Sequence, residues 1–146
     1  MFKLRPYEEK DYDFVYEVKK IGYQKYVEEF YGEWDETVQH EMFDSYLAQR
    51  RDKINIIIFE GKDVGFVDGG LLDDGRYEQG NICLLPEARG KGIGSKILEN
   101  IISENKEREI ALRVFKTNPA KRLYERFGFE VINETEAHFV MVRRPK

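Results

Sequence analysis

The order of apolar and polar positions divides the first fifty residues into one short strand and two helices. Residues 2–5 alternate between apolar and polar until Pro6, which predicts a strand. Residues 8–31 and 36 to about 50 place apolar residues three and four positions apart, which predicts two helices with one buried face each. The expected buried positions are Phe14, Val15, Val18, Ile21, Val38, Met42, Phe43, Tyr46 and Leu47, and the candidates to continue the first stripe after Gly22 are Tyr26, Phe30 and Tyr31.

After residue 53 the apolar pattern changes mostly to that of strands. Strands are predicted at 54–59, 64–72, 77–85, 110–115, 129–132 and 139–143, with a hairpin-like turn at 60–63. Ile93, Ile97, Leu98, Ile101 and Ile102 form the apolar face of a third helix. A fourth is predicted at 119–127, with Asn118 as its N-cap and Gly128 closing it.

The resulting element order is β-α-α-β-β-β-α-β-α-β-β, without a repeat or a linker. It predicts an α/β fold of the α+β kind, with a mixed, mostly antiparallel sheet of about seven strands flanked by about four helices. A chain of 146 residues has the length of one domain, so we expect a single domain over residues 1–146.

Composition narrows the class of protein further. Cys83 is the only cysteine, so an intrachain disulfide is excluded. No apolar run approaches the roughly 20 residues that span a bilayer, and no basic segment followed by an apolar stretch opens the chain. We therefore expect a cytoplasmic protein that does not enter a membrane.

The net charge of −4 is unevenly distributed. Residues 1–50 carry 7 Lys/Arg and 12 Asp/Glu, whereas residues 86–146 carry 13 and 9. The basic part could meet an anionic cofactor and the acidic part a cationic substrate, although solvated helix faces explain the same numbers. An acidic chain argues against nonspecific nucleic-acid binding.

The segment Arg89-Gly90-Lys91-Gly92-Ile93-Gly94 joins a predicted strand to a predicted helix. Glycines let a backbone approach an oxyanion, and the free N–H groups of a helix N-terminus favour negative charge. Arg89 and Lys91 add counter-charge, so the loop predicts a phosphate or pyrophosphate site; a glycine-rich turn without a ligand is the alternative. The spacings of the Walker A and dinucleotide loops are absent.

Residues 84–94 resemble the cofactor motif of the GNAT superfamily of N-acetyltransferases, Gln/Arg-x-x-Gly-x-Gly/Ala, with Arg89, Gly92 and Gly94 at its defined positions. Residues 118–129 are similar to the second motif of that superfamily, which carries Asn, Ala, Leu-Tyr and Gly-Phe in that order. The resemblance implies acetyl-coenzyme A as donor, an amine as acceptor and direct transfer in a ternary complex. It covers the motifs closely and the first ~50 and last ~15 residues weakly.

The resemblance also implies roles for individual residues. The backbone of Ile82, Cys83 and Leu84 would hold the pantetheine arm and the thioester, with a further hydrogen bond from Asn118. Tyr124 would be the general acid, since a phenol can protonate a thiolate at modest cost. Glu78 is the candidate general base, directly or through water, with Asp73, Asp74 and Tyr77 as alternatives.

The acceptor side rests on fewer residues. Trp34 with Glu33 and Asp35 lies between the first two helices and could hold a cation, although a core tryptophan and a helix cap are equally good readings. His40 and His138 have no metal-binding partners in the sequence, so no metal is expected. Cys83 is expected to be a small buried residue and not a nucleophile.

Two other functions remain open at this stage. The chain could be a coenzyme A-binding or sensory module that acetylates nothing, or a nucleotide-binding domain that prefers ATP or NAD. The acceptor, whether small molecule or protein amine, and the acyl-chain length are not specified by the sequence. The resemblance allows a homodimer paired through the last strands.

Overall fold

The computed structural model describes residues 1–145, which form eleven principal elements joined by short turns. The helices are α1 (Tyr12–Tyr31), α2 (Glu36–Arg50), α3 (Ile93–Glu104) and α4 (Ala120–Arg126). The strands are β1 (Phe2–Pro6), β2 (Ile54–Phe59), β3 (Lys62–Leu71), β4 (Tyr77–Leu84), β5 (Ile110–Phe115), β6 (Glu130–Glu134) and β7 (His138–Arg143). This order confirms the predicted succession of strands and helices.

The seven strands form one mixed sheet in the order β1-β2-β3-β4-β5-β7-β6. Strands β1 and β2, β2 and β3, β5 and β7, and β6 and β7 pair antiparallel, and β4 and β5 pair in parallel. The crossover from β4 to β5 runs through α3, because parallel neighbours need a long connection. The predicted mixed, mostly antiparallel sheet with four helices is therefore confirmed.

The chain divides into two compact units, each with its own apolar cluster. Unit 1 comprises residues 1–68 and 81–89, and unit 2 comprises residues 69–80 and 90 onward. In unit 1, α1 and α2 pack on the sheet through the buried residues Val15, Tyr16, Val18, Phe43, Leu47, Ile54, Ile56, Phe66 and Cys83. In unit 2 the core comprises Leu98, Ile110, Leu112, Val114, Phe129 and Met141.

Four residues placed on the apolar stripes are exposed instead. Ile21, Tyr31, Val38 and Met42 keep 43%, 61%, 48% and 60% of their surface accessible. The buried face of α2 is set by Phe43 and Leu47, and Val38 lies about 140° around the helix from Phe43 at 100° per residue. Apolar spacing predicted the helix correctly but placed part of its stripe on the wrong side.

Several boundaries also differ from the prediction, among them those of β3 and α4. The turn after β2 is only Glu60-Gly61, both with positive φ (50° and 78°), so the residues at 62 and 63 already belong to β3. Such a two-residue turn matches the twist of a hairpin. At α4 the N-cap position falls on Pro119, while Asn118 Oδ1 accepts the Ala120 N–H at 2.9 Å and so still serves the helix start.

Candidate functional site

The glycine loop in unit 2 ends at the start of α3 and exposes backbone donors. Gly90 and Gly92 have φ of 74° and 79°, the left-handed region that suits glycine. Among residues 1–145 no side chain caps α3; its first turn holds no acidic residue, and its first bond is from Lys96 N to Gly92 O at 3.0 Å. The N–H groups before Lys96 therefore have no helical carbonyl to bind.

The space beside this loop suits a phosphate. A Cβ placed on Gly90, Gly92 or Gly94 would meet no atom of the described residues within 4 Å, so the backbone can be approached closely. Lys91 is exposed and provides positive charge at the same place. Open backbone donors, a helix N-terminus and a cation are what a pyrophosphate needs, so these residues fit the cofactor expected from the sequence.

Unit 1 contains the strand segment that precedes the loop. Arg89 is exposed, and its Nε donates to the Leu84 carbonyl at 3.1 Å, which ties the side chain to the end of β4. The Cys83 carbonyl lies so close to Gly65 of β3 that a Cβ there would approach it closer than 3.0 Å. Cys83 itself is buried, and burial raises the pKa of its thiol to about 12. A thiol in that state supplies almost no nucleophilic thiolate.

Tyr124 lies on α4 in unit 2 and is half-buried. Its ring meets Phe129 edge-on at a centroid distance of 5.8 Å and packs against the cluster that also contains Leu98 of α3. The helix ends after Arg126, and Gly128 follows with φ of 90°. Both α4 and the helix of the glycine loop are thus fixed to the same core.

Glu78 lies near the start of β4, also in unit 2, where it is half-buried. It pairs with Ala111 of β5, next to the pair Tyr77 and Ile110. Of the alternative bases, Asp74 is held by the backbone N–H and guanidinium of Arg76, which lower its pKa. That engagement makes Asp74 a weaker proton acceptor than an unperturbed carboxylate.

Sequence reasoning did not single out Gln79, the neighbour of Glu78. Gln79 is 2% exposed, its Nε2 donates to the Gly80 carbonyl at 3.2 Å, and its Oε1 has no hydrogen-bond partner in the described part of the chain. An unsatisfied buried amide oxygen is costly and often marks a site that a ligand or water completes. A polar residue within a buried strand was the only signal in the sequence.

The three residues predicted for the acceptor lie at the start of α2 in unit 1. Asp35 Oδ1 accepts the Val38 N–H at 3.0 Å and so caps α2, whereas Glu33 is exposed. The Trp34 ring packs edge-on against Tyr16 at 6.4 Å. Capping and packing account for two of these side chains, and their contact with an acceptor stays a prediction.

The two histidines have aromatic neighbours. His40 stacks on Tyr16 at 3.9 Å, and His138 lies 4.2 Å from the Phe115 ring. Burial lowers the pKa of His138, as does the charge of Arg113. Within residues 1–145 no three His, Cys, Asp or Glu side chains form a group that could hold a metal ion.

Comparison with known proteins agrees with this geometry. Residues 50–131, more than half of the chain, match the family model of the acetyltransferase (GNAT) domain. The chain belongs to the GNAT acetyltransferase family. A 5-NmdU N-acetyltransferase of Pseudomonas phage PaMx11 is 31% identical to this GNAT protein over 98 residues, which cover 64% of this chain and 69% of the phage protein.

Solved structures share the fold of this GNAT acetyltransferase. The PH1933 protein of Pyrococcus horikoshii OT3 matches with a TM-score of 0.74 and 20% identity over 100% of this chain and 99% of its own. The PaiA N-acetyltransferase of Thermoplasma acidophilum, solved in complex with coenzyme A, matches with a TM-score of 0.68 and 19% identity over 99% of both chains.

Family membership makes the protein an acyltransferase, and its family uses acetyl-coenzyme A. The motif that suggested this resemblance, residues 84–94, falls inside the matched region. Among residues 1–145, no helix has both the length and the apolar character needed to cross a membrane.

Proposed function

We propose that this GNAT protein transfers the acetyl group of acetyl-coenzyme A to a primary amine by direct attack in a ternary complex. The observation that carries the proposal is the uncapped α3 N-terminus behind two left-handed glycines, Gly90 and Gly92. This arrangement leaves backbone donors for a pyrophosphate, and within residues 1–145 no atom lies within 4 Å of a Cβ built on either glycine.

The cofactor would be held along one stretch of the chain. Its pyrophosphate would accept from the backbone N–H groups at 92–94, with Arg89 and Lys91 as counter-charges. The backbone of Ile82–Leu84 would align the pantetheine arm and thioester, and Asn118 would add a polar contact. Asn118 Oδ1 is already bonded to Ala120 N, so its Nδ2 is the group that would donate.

Two side chains of unit 2 would move protons. As the amine nitrogen attacks the thioester carbonyl carbon, its proton would pass to Glu78, directly or through water. When the carbon–sulfur bond breaks, the Tyr124 hydroxyl would give its proton to the departing thiolate. Glu78 is half-buried near the start of β4, and Tyr124 is held by the core behind it.

The acceptor is proposed only as a class. Trp34 with Glu33 and Asp35 is the candidate wall for a cationic amine, supported by its place between α1 and α2. Because a relative with 31% identity is named for 5-NmdU, that compound belongs among the acceptors to be screened. A cytoplasmic location and a homodimer stay predictions.

Calorimetric titration with acetyl-coenzyme A, with ATP and NAD as controls, tests the cofactor proposal. We expect selective micromolar binding, followed by thiol release when the correct amine is present. Binding without thiol release across a broad amine panel would favour the alternative, a coenzyme A-binding sensory module. Absence of selective binding would refute the proposed site.

A further inference from the structure

Lys19 is a partly buried cation on the α1 helix of unit 1, with two aromatic rings beside its ammonium. Its Nζ lies 4.5 Å from the centroid of the Tyr46 ring and 6.0 Å from that of Phe43. Within residues 1–145 this ammonium makes no hydrogen bond or ion pair. Desolvation by burial lowers the pKa of Lys19, and the charge of Asp68 opposes this shift. Most lysines keep the ammonium in water, so this position requires an explanation.

The same face of α1 reaches the strand proposed for the thioester. Gly22 lies one turn after Lys19, and a Cβ there would be 3.9 Å from the Cys83 sulfur. Tyr23 hydrogen-bonds to Cys83, and the charge of Lys19 also acts on that thiol. Lys19 therefore lies beside β4 at the segment Ile82–Leu84.

The nearby carboxylate of Asp68 is already bound by other donors. Asp68 is 2% exposed, accepts from the Tyr46 hydroxyl and from Asn81 Nδ2 at 2.7 Å, and has Arg50 Nη2 at 3.5 Å. These partners satisfy the carboxylate and fix the Tyr46 ring beneath Lys19. The result is an ordered polar wall, built from α1, α2, β3 and β4, in which the Lys19 ammonium lies over an aromatic ring without a hydrogen bond to any residue that the structure describes.

We propose that Lys19 binds an anionic group, a carboxylate or a phosphate, carried by the acceptor amine. This inference rests on the proposed function, because it names the class of acceptor for that reaction. A partly desolvated ammonium without a partner gains a charge-assisted hydrogen bond from an anion and gains none from a neutral acceptor. A site built in this way discriminates against the acceptor that lacks the group.

Matched acceptor pairs test the preference. One arm compares 4-aminobutyrate with its amide, and the other compares phosphoethanolamine with ethanolamine, each by thiol release from acetyl-coenzyme A. We expect kcat/KM to be about ten- to a hundredfold higher for the charged member of at least one pair. The arm that shows the larger ratio distinguishes a carboxylate from a phosphate.

Three variants connect the preference to Lys19. Lys19→Met should bring the charged-to-neutral ratio close to one, and Lys19→Arg should retain most of it. Lys25→Met is the matched control, because Lys25 is on the same helix and over an aromatic ring, Tyr26 at 4.9 Å, but exposed. A ratio measured on one preparation does not depend on the fraction of folded protein.

Amine-free anions give a second readout that needs no turnover. Butyrate and ethyl phosphate are titrated by calorimetry into the wild type, Lys19→Met and Lys25→Met. We expect Lys19→Met to bind these anions at least tenfold more weakly than the wild type, and Lys25→Met to bind them as the wild type does. If no amine is acetylated, the proposed function fails while this titration still decides the role of Lys19. The inference would be overturned if the wild type neither prefers charged acceptors nor binds the two anions. It would also be overturned if Lys19→Met keeps the wild-type preference for charged acceptors.

Discussion

Replacing Gly65 with alanine should destabilise the protein strongly, because β3 and β4 are in close backbone contact there. The added Cβ would lie 3.0 Å from both the Cys83 carbonyl carbon and Leu84 Cα, and closer still to the Cys83 oxygen. The obstacle is backbone, so no rotamer change can relieve it. The strands must separate locally, which also strains the adjacent bond from Leu85 N to Val64 O at 2.8 Å.

The expected cost follows from these two effects. Overpacking costs about 1–3 kcal/mol and a weakened hydrogen bond about 1 kcal/mol, so we expect a loss of about 2–4 kcal/mol in the free energy of unfolding. For a chain of this size that lowers Tm by about 5–15 °C. Thermal unfolding followed by circular dichroism measures it directly.

Gly22→Ala is the matched control, since it adds the same methyl group beside the same residue. Its Cβ would lie 3.9 Å from the Cys83 sulfur, an ordinary contact, and alanine favours a helix by up to about 1 kcal/mol over glycine. We expect Tm to be unchanged or higher. If Gly65→Ala melts like Gly22→Ala, the close approach of the Cys83 carbonyl to β3 is wrong. Weakened acetyl-coenzyme A binding by Gly65→Ala would further support the role of this segment.

Three further results are expected. Gly92→Glu should abolish acetyl-coenzyme A binding in calorimetry, by like charge and by strain at φ 79°, whereas Gly94→Ala should retain it. Tyr124→Phe should lower kcat more than it raises the cofactor KM, and an equal kcat would remove this hydroxyl from the mechanism. Asp11→Asn should cost about 1–3 kcal/mol at pH 7. The Arg5 guanidinium lowers the Asp11 pKa, so the difference in stability from wild type should persist above the ordinary carboxyl pKa and vanish as pH falls through the lowered value.

Most of the secondary structure was available from the sequence, because it depends on local periodicity and turn chemistry. The bounds predicted for α2, β2 and β5 agree with the structure. The left-handed conformation of Gly128 was also predicted, since few other residues close a helix in that way. Where the prediction failed, as for Val38 and Met42, the missing information was which side of the helix meets the sheet.

The candidate site likewise has one part that could be predicted from the sequence and one part that could not. The glycine loop and the helix that follows it were predictable because both depend on consecutive residues, glycines in a turn and an apolar stripe at helical spacing. The network around Asp68 was not, since Tyr46, Asp68 and Asn81 come from three elements far apart in sequence. The residue types alone do not indicate that these three side chains are hydrogen-bonded to one another.

The sequence by itself therefore determined the order of elements, the place of the glycine loop before α3 and membership of an acetyltransferase family. Tertiary structure decided which face of α1 is buried, and so brought Lys19 over the Tyr46 ring and beside Cys83. The physical reason is that backbone conformation follows from neighbours along the chain, whereas desolvation and pairing of charge depend on neighbours in space.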